Sequence, residues 1–309
     1  MRERMIKKAK EGITSAYSNE EHALMQAINA YLETNKSYNL AFERLSEWYG
    51  IYFPEIKIAN PKTLADLAIV LNSRDGIDKE SITSIITDTQ KADSIYNKAK
   101  ATIGREMSDK EKEAVLHFAR LSNQMNDTLL GLEAYLKAAS TEIMPNTTYL
   151  TDEKIAAELL SKAGSLERLA TMPASTVQLL GAEKALFKHI KFGSNPPKYG
   201  VLFKLAEISN GPRDRRGRIA RAYAAKISIA LKADYFTKNF IAEKLKADLE
   251  KAVKRMKEAP ARERSGKPAN QFSRPFQGRP QRGPQNSGRP NRFSDQKNKS
   301  DRSPKWRKR

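Results

Sequence analysis

The chain contains no cysteine in 309 residues, which excludes a disulfide framework, a thiol nucleophile and any cysteine-held zinc or iron–sulfur centre. Histidine is scarce as well. His22, His117 and His189 lie far apart, and none has the paired spacing of a helix-borne metal site. No apolar run approaches the roughly 20 residues that a membrane-spanning helix needs. The basic start MRERMIKKAK leads into no apolar segment, so a secretory signal is not expected and an intracellular, soluble chain is. Phosphate-cradling glycine loops and the GxSxG elbow are also absent, and the carboxylates are scattered along charged helix faces. We expect no enzyme, no metal and no cofactor.

Acidic charge is the other shortage. Fifty-six Lys and Arg face 36 Asp and Glu, a formal net charge of +20, which points to a polyanionic partner: nucleic acid or an acidic membrane surface. The excess is uneven. Residues 259–309 hold 15 Lys and Arg against three Asp and Glu, together with half of the prolines and few apolar residues beyond Phe272, Phe276, Phe293 and Trp306. Such a segment buries too little apolar surface to offset its ordering entropy and is expected to be disordered. Contact with RNA through charge and stacking fits it, and so does a purely solubilising role.

Ahead of that tail the pattern is helical, behind a polar lead-in over residues 1–17. Ser18 and Glu21 form a capping box. Leu24, Ile28, Tyr31, Asn35, Tyr38, Phe42, Leu45 and Tyr49 then alternate steps of four and three up to Gly50 and Pro54. Asn60 and Pro61 open a short helix. Asp78 starts a longer one whose apolar steps run from Ile82 to Ile103, and Gly104 ends it. After a further box, Ser108 with Glu111, a third seam runs through Val115, Phe118, Ser122, Met125, Leu129, Leu132, Leu136, Ala139 and Ile143 to Pro145. An antiparallel coiled-coil arm satisfies all three seams, and a compact helical bundle has the same periodicity.

Beyond Pro145 the heptads stop and the helices shorten, which predicts a coiled-coil domain over 18–144 and a globular helical domain over 145–258. Thr151 and Ser165 are candidate caps. Residues 193–212 are the least helical, with VLFKL as a short strand or an extended loop. Helices are predicted over Arg213–Leu231 and from about Lys238 to Glu258. The fold class expected is all-α.

Two stretches carry candidate chemistry. PASTVQLLGAEKALFKHI, Pro173 to Ile190, reads as two short helices broken at Gly181, with Ser175 and Gln178 as a capping box on the first. The second places Ala185, Leu186 and Phe187 near a core and leaves Lys184, Lys188 and His189 outward. A small core helix with a solvated basic edge fits equally. RDRRGRIAR supplies Arg213, Arg215, Arg216, Arg218 and Arg221 at a helix start, where guanidinium forks and free backbone N–H groups suit phosphate. A solvated basic face is the alternative.

The wording GAEKALFKH resembles the signature of the Nop domain found in scaffold proteins of box C/D RNA–protein particles. The likeness extends through NQMNDTLLGLEAYL, EIMPNTTYL and AGSLERLATMPAST upstream and RRGRIARAYAAKISIALKADYF downstream, about His22 to Lys254, and looks like the archaeal type. It implies a coiled-coil arm that self-associates, giving a homodimer, with Leu24, Ile28, Tyr31, Tyr38, Phe42, Leu45, Met125, Leu129, Leu132 and Leu136 in the dimerisation seam. It implies that Gly181, Ala182, Glu183, Lys184, Lys188 and His189 lie at the composite surface of a kink-turn guide RNA and its small bound protein. Arg213, Arg215, Arg216, Arg218 and Arg221 would flank the RNA backbone.

The implied function is a non-enzymatic scaffold supporting guided RNA 2′-O-methylation by a fibrillarin-type methyltransferase, in a cytoplasmic ribonucleoprotein particle of an archaeal-type cell. Family members usually carry a further N-terminal domain that recruits the methyltransferase. Here the first seam helix begins at Ser18, so that domain is expected to be missing and direct contact with the methyltransferase is not carried over. KYGVLFKLAEIS departs from the histidine–proline pair common in the family. The rival readings are a splicing-type Nop protein on a small nuclear RNA kink-turn, a general RNA chaperone working through the tail, and an enzyme acting on RNA.

Overall fold

The structure, a computed structural model, describes residues 1–17, 20–72 and 77–258. The expected capping box at Ser18 and the expected disorder of the tail over 259–309 lie outside the described residues. Among the described residues there is no strand, and the fold is all-α. Fourteen helices follow in order: α1 (Arg2–Tyr17), α2 (Glu20–Tyr49), α3 (Pro61–Val70), α4 (Lys79–Ile85), α5 (Thr89–Lys100), α6 (Asp109–Ile143), α7 (Pro145–Leu150), α8 (Glu153–Ala163), α9 (Leu166–Thr171), α10 (Ala174–Leu179), α11 (Glu183–Phe192), α12 (Ala206–Ser209), α13 (Arg216–Lys232) and α14 (Ala242–Glu258).

Local chemistry starts and stops many of them. The Asn60 side chain accepts from Thr63 N ahead of Pro61, and the reciprocal box between Ser108 and Glu111 opens α6. The Ser165 hydroxyl accepts from Arg168 N, and Gly164 closes α8 in the left-handed conformation. Three expectations need correction. Asp152, not Thr151, caps α8, accepting from Ile155 N at 2.7 Å. The helix expected from Asp78 to Ile103 is two, because the Asp88 carboxylate caps a fresh start by accepting from Gln90 N and Lys91 N. VLFKL forms a 3₁₀ turn over Val201–Lys204 instead of a strand.

The two long helices run antiparallel. Tyr31 of α2 meets Glu133 of α6, its hydroxyl donating across 2.8 Å, while Trp48 lies against Phe118 with ring centroids 6.3 Å apart. Residue numbers therefore rise along one helix as they fall along the other. This pairing uses much of the expected dimerisation seam within one chain. Leu24, Ile28, Tyr38, Leu45, Leu129 and Leu136 are buried within the chain itself, and Tyr31, Phe42, Met125 and Leu132 are half-buried. The six buried residues close an intramolecular seam and are not available to a partner.

Most of the apolar packing gathers in two places, with a small third cluster of Leu150, Ala230 and Leu245. Leu45, Tyr49, Tyr52 and Phe53 form one cluster with residues of α3, α4, α5 and the start of α6. There the Tyr49 hydroxyl donates to Leu71 O at 3.0 Å, and burial drives its pKa far up. The larger cluster joins Leu24, Ile28 and Leu136 to Ile155, Leu159, Leu160, Leu169, Leu202, Ile219, Ile227, Leu231 and Leu249. Each such side chain contributes about 1.5–3 kcal/mol on burial. Ala220 and Ala224 of α13 are fully buried, and their small size lets α10 and α14 pack closely on it.

One buried polar device ties the start of the short helices to their end. The Asp234 carboxylate accepts from Asn146 N at 2.9 Å, Asn146 Nδ2 at 2.8 Å, Thr147 N at 3.0 Å and Thr147 Oγ1 at 2.7 Å. Asn146 in turn accepts from Ile241 N at 2.6 Å and donates to Asn239 O at 2.9 Å. An isolated carboxylate would be costly inside a protein, but four donors and the positive end of α7 satisfy this one. It sits in a π turn, Ala233–Thr237, followed by Lys238 in the left-handed region at φ 54°.

Candidate nucleic-acid interface

The candidate surface is built where the α10–α11 corner meets the loop before α12. Val177 and Leu180 are buried and anchor α10, whose N-cap is Pro173; Ser175 makes no cap. The chain turns at Gly181, φ +83°, and is zipped to the facing loop. Gly200 N donates to Gln178 O at 3.0 Å, Val201 N to Leu180 O at 2.7 Å, and Gln178 Nε2 to Lys198 O at 2.6 Å. Both glycines are required by closeness. A Cβ on Gly200 would lie 1.9 Å from Leu180 O, and one on Gly181 would lie 2.7 Å from Val201 Cγ2. The Glu183 carboxylate accepts from Gly181 N at 2.6 Å and so holds the turn from the other side.

From that anchored corner α11 leads away with no buried residue at all. This corrects the expectation that Ala185, Leu186 and Phe187 approach a core: Ala185 is exposed, Leu186 is half-buried, and Phe187 is 70% exposed. Ile190 and Phe192 are each 71% exposed. At about 100° per residue, Lys184, Lys188 and Lys191 share one side of the helix, and Leu186, Phe187 and Ile190 share the side next to it. Lys184 and Lys188 are exposed. His189 is half-buried, and its Nδ1 bonds to Ser194 O. A carbonyl only accepts, so Nδ1 carries the proton and Nε2 is the nitrogen left for a partner. Gly193, left-handed at φ 65°, ends the helix.

The arginines divide. Arg215 is buried, and its Nη1 donates to Met256 O at 3.0 Å and to Lys257 O, satisfying the last carbonyls of α14. Its guanidinium is committed inside the protein, which corrects its assignment to the RNA backbone. Arg216 is half-buried: Nε donates to Gly211 O at 2.9 Å, and the guanidinium lies 5.7 Å over the Phe203 ring. That ring stacks on Tyr199 with centroids 4.7 Å apart and planes at 11°. Arg213, Arg218 and Arg221 are exposed. Lys198 lies against the first turn of α13, its Cδ 3.7 Å from where a Cβ on Gly217 would be. The α10–α11 corner, the aromatic stack and the first turn of α13 are therefore contiguous.

What this arrangement can do is bind. Exposed cations beside uncovered apolar rings offer donors to phosphates and contact area to a base or a protein. Among the described residues no group of three His, Asp or Glu is placed to hold a metal. His22 and His117 are exposed, and His117 lies 3.7 Å from Glu113. Reading the sequence missed Phe187, Ile190, Phe192 and Lys191 as surface residues, and Tyr199 and Phe203 as a stack. The spacing of Lys191 from Lys184 and Lys188 was the available signal.

The chain matches the family described as Nop, snoRNA binding domain, fibrillarin, over residues 30–255. A NOP5 family protein from Methanocaldococcus jannaschii is 38% identical over 81% of this chain and 59% of its own length. Nucleolar protein 56 from Dictyostelium discoideum is 37% identical over 71% of this chain and 42% of its own length. The chain thus spans about half the length of the curated relatives it matches. A solved fibrillarin/Nop5p complex resembles it at a TM-score of 0.48 and 22% identity, over 82% of this chain and 78% of that one.

Proposed function

The chain belongs to the Nop family, and from that premise we propose that it is a non-enzymatic scaffold of a box C/D-type RNA–protein particle. Its task there is to bind the composite surface of a kink-turn guide RNA and the small protein seated on it, so that a fibrillarin-type methyltransferase can act in the same particle. The observation that carries this reading is α11, an amphipathic helix that buries none of its residues. Covering Phe187, Ile190 and Phe192 would yield on the order of 5 kcal/mol by area. The chain's own core collects none of that. The lysine side of the same helix and Arg213, Arg218 and Arg221 supply the charge that an RNA backbone requires. An apolar side for protein next to a cationic side for RNA suits a composite target better than either alone.

We further propose that two copies associate through the outer faces of α2 and α6, where Leu40, Leu121, Leu130 and Tyr135 remain exposed. The division into a long-helix module and a short-helix module then assigns pairing to one and recognition to the other.

The test is a gel shift of a kink-turn box C/D RNA at fixed salt, with and without the small kink-turn protein. The full chain is expected to shift the RNA only with that protein present, and Phe187→Ala combined with Lys188→Ala is expected to abolish the shift. An equal shift on any RNA, unaffected by those substitutions, would replace this reading with non-specific binding by the basic tail.

A further inference from the structure

Away from α10 and α11, a second feature of the surface has the chemistry of a ligand site. Tyr149, at the end of α7, and Phe240, just before α14, meet edge to face with ring centroids 5.7 Å apart and planes at 83°. Both are solvent-facing, at 43% and 54% exposure. Lys246 Nζ sits 4.7 Å over the Tyr149 ring. Tyr149 and Lys246 also line a cavity of about 440 Å³, together with Tyr223, Leu249 and Val253.

The pair is held in place. Asn146, three residues before Tyr149, accepts from Ile241 N and donates to Asn239 O, so the residues on either side of Phe240 are both fastened to the start of α7. The Asp234 carboxylate fixes Asn146 in turn. The backbone around Phe240 is thus set by two part-buried hydrogen bonds to Asn146, itself held by two buried ones, yet the ring it carries faces water. Holding an apolar ring out at a fixed angle gains nothing for the core.

We infer that this shelf and cavity form a second RNA site, which takes an unpaired nucleotide: one base stacked at Tyr149 and Phe240, with the cavity open to that base or its neighbour. The occupant follows from charge and shape. Single-stranded RNA sites pair exposed aromatic rings with cations that follow the backbone, and here Lys246, Lys254 and Lys257 line the cavity together with the carboxylates of Glu207, Glu250 and Glu258. The Tyr223 hydroxyl donates to the carboxylate of Glu207, and both residues line the cavity. Carboxylates repel phosphate but accept from the exocyclic amino groups of bases, so the base and not the backbone is the part that enters. The cavity is also of the size that small ligands use. This site rests on the reading above only in that RNA is the polymer; its residues come from α7, α12, α13, α14 and the segment just before α14, and none from α10 or α11.

The experiment measures fluorescence anisotropy of the full chain with two labelled oligonucleotides, one unstructured RNA and one abasic strand of the same length. Unmodified protein should prefer the base-bearing strand. Phe240→Ala and Tyr149→Ala should each weaken binding of that strand about tenfold and leave the abasic strand unchanged. Tyr149→Phe, which keeps the ring, should bind as the unmodified chain does. Lys246→Ala should weaken both strands and lower the salt slope by about one charge. Equal affinity of Phe240→Ala and the unmodified chain for the base-bearing strand would overturn the inference, and a change in mass by light scattering in that variant would mark the shelf as a protein contact instead. Phe187→Ala should leave oligonucleotide binding intact, and Phe240→Ala should leave the kink-turn shift intact, so the two sites can fail separately.

Discussion

Helices α8 and α11 are nearly equal in length, both begin with Glu-Lys, and both are amphipathic, yet they end in opposite environments. Seven of the eleven residues of α8 are buried, and none of the ten in α11. Lys154, second in α8, bonds to Glu133 of α6 and to the Tyr31 hydroxyl of α2. Lys184, second in α11, is exposed. An apolar stripe states that a helix face is to be covered but not what covers it. In α8 the cover is the protein's own core; in α11 no described residue of the chain buries the face.

Stability measurements can break this contrast. Leu160→Ala, at a fully buried position of α8, should cost about 3 kcal/mol in urea unfolding, the usual size for a leucine cavity. Phe187→Ala in α11 should cost less than about 0.5 kcal/mol despite removing a larger side chain. Similar losses in both would mean that α11 is part of the core after all.

The arginines sharpen the same contrast over a shorter distance. Arg215→Gln should destabilise by roughly 2 kcal/mol, because it removes charge-assisted bonds to the carbonyls of Met256 and Lys257. Arg218→Gln, three residues on and exposed, should leave the unfolding midpoint in place and lower the salt slope of RNA binding by about one. If the two effects were exchanged, the division of the cluster would be wrong.

The smallest effect concerns acid. Hydrogen bonds from Lys154 and Tyr31 hold the Glu133 carboxyl below its ordinary pKa. Since the folded value is the depressed one, the contribution is complete above the unfolded pKa of about 4.5 and is lost as pH falls through the folded value. The pair is partly exposed, so at most about 1 kcal/mol is at stake. In Glu133→Gln, stability between pH 5 and about pH 3 should fall less steeply than in the unmodified chain, by chemical denaturation at each pH.

What was legible in the sequence is what acts over three or four residues. The Asn60–Pro61 start, the Ser108–Glu111 box, the Ser165 cap and the break at Gly181 are all local, because capping needs only a side chain and the next turn. The helical class follows from periodicity in the same way. The seams were legible as seams but not as intramolecular ones, since heptads look alike whether the partner helix is the same chain or another. Arg215 was indistinguishable from Arg213 because its acceptors lie about 40 residues away in α14. The apolar steps from Ile82 to Ile103 continue through Asp88, yet its competition for backbone N–H groups splits that helix. Nothing in GAEKALFKH states that its rings lie outside.

The Asp234 knot has one more consequence, for the order in which the molecule can come apart. It joins residues 88 positions apart in the chain, and closing a loop of that size costs roughly 4 kcal/mol of chain entropy. That cost is recovered only when the core helices in between, α8 to α10, α12 and α13, are already packed. The amides of Asn146 and Thr147 are therefore tied to the most cooperative unit of the fold, and their protons should exchange with solvent only when that whole unit opens. Rings so mounted do not wait for a partner to shape them. Phe240 and Tyr149 meet whatever binds there already set, which reduces the ordering entropy lost at the moment of contact.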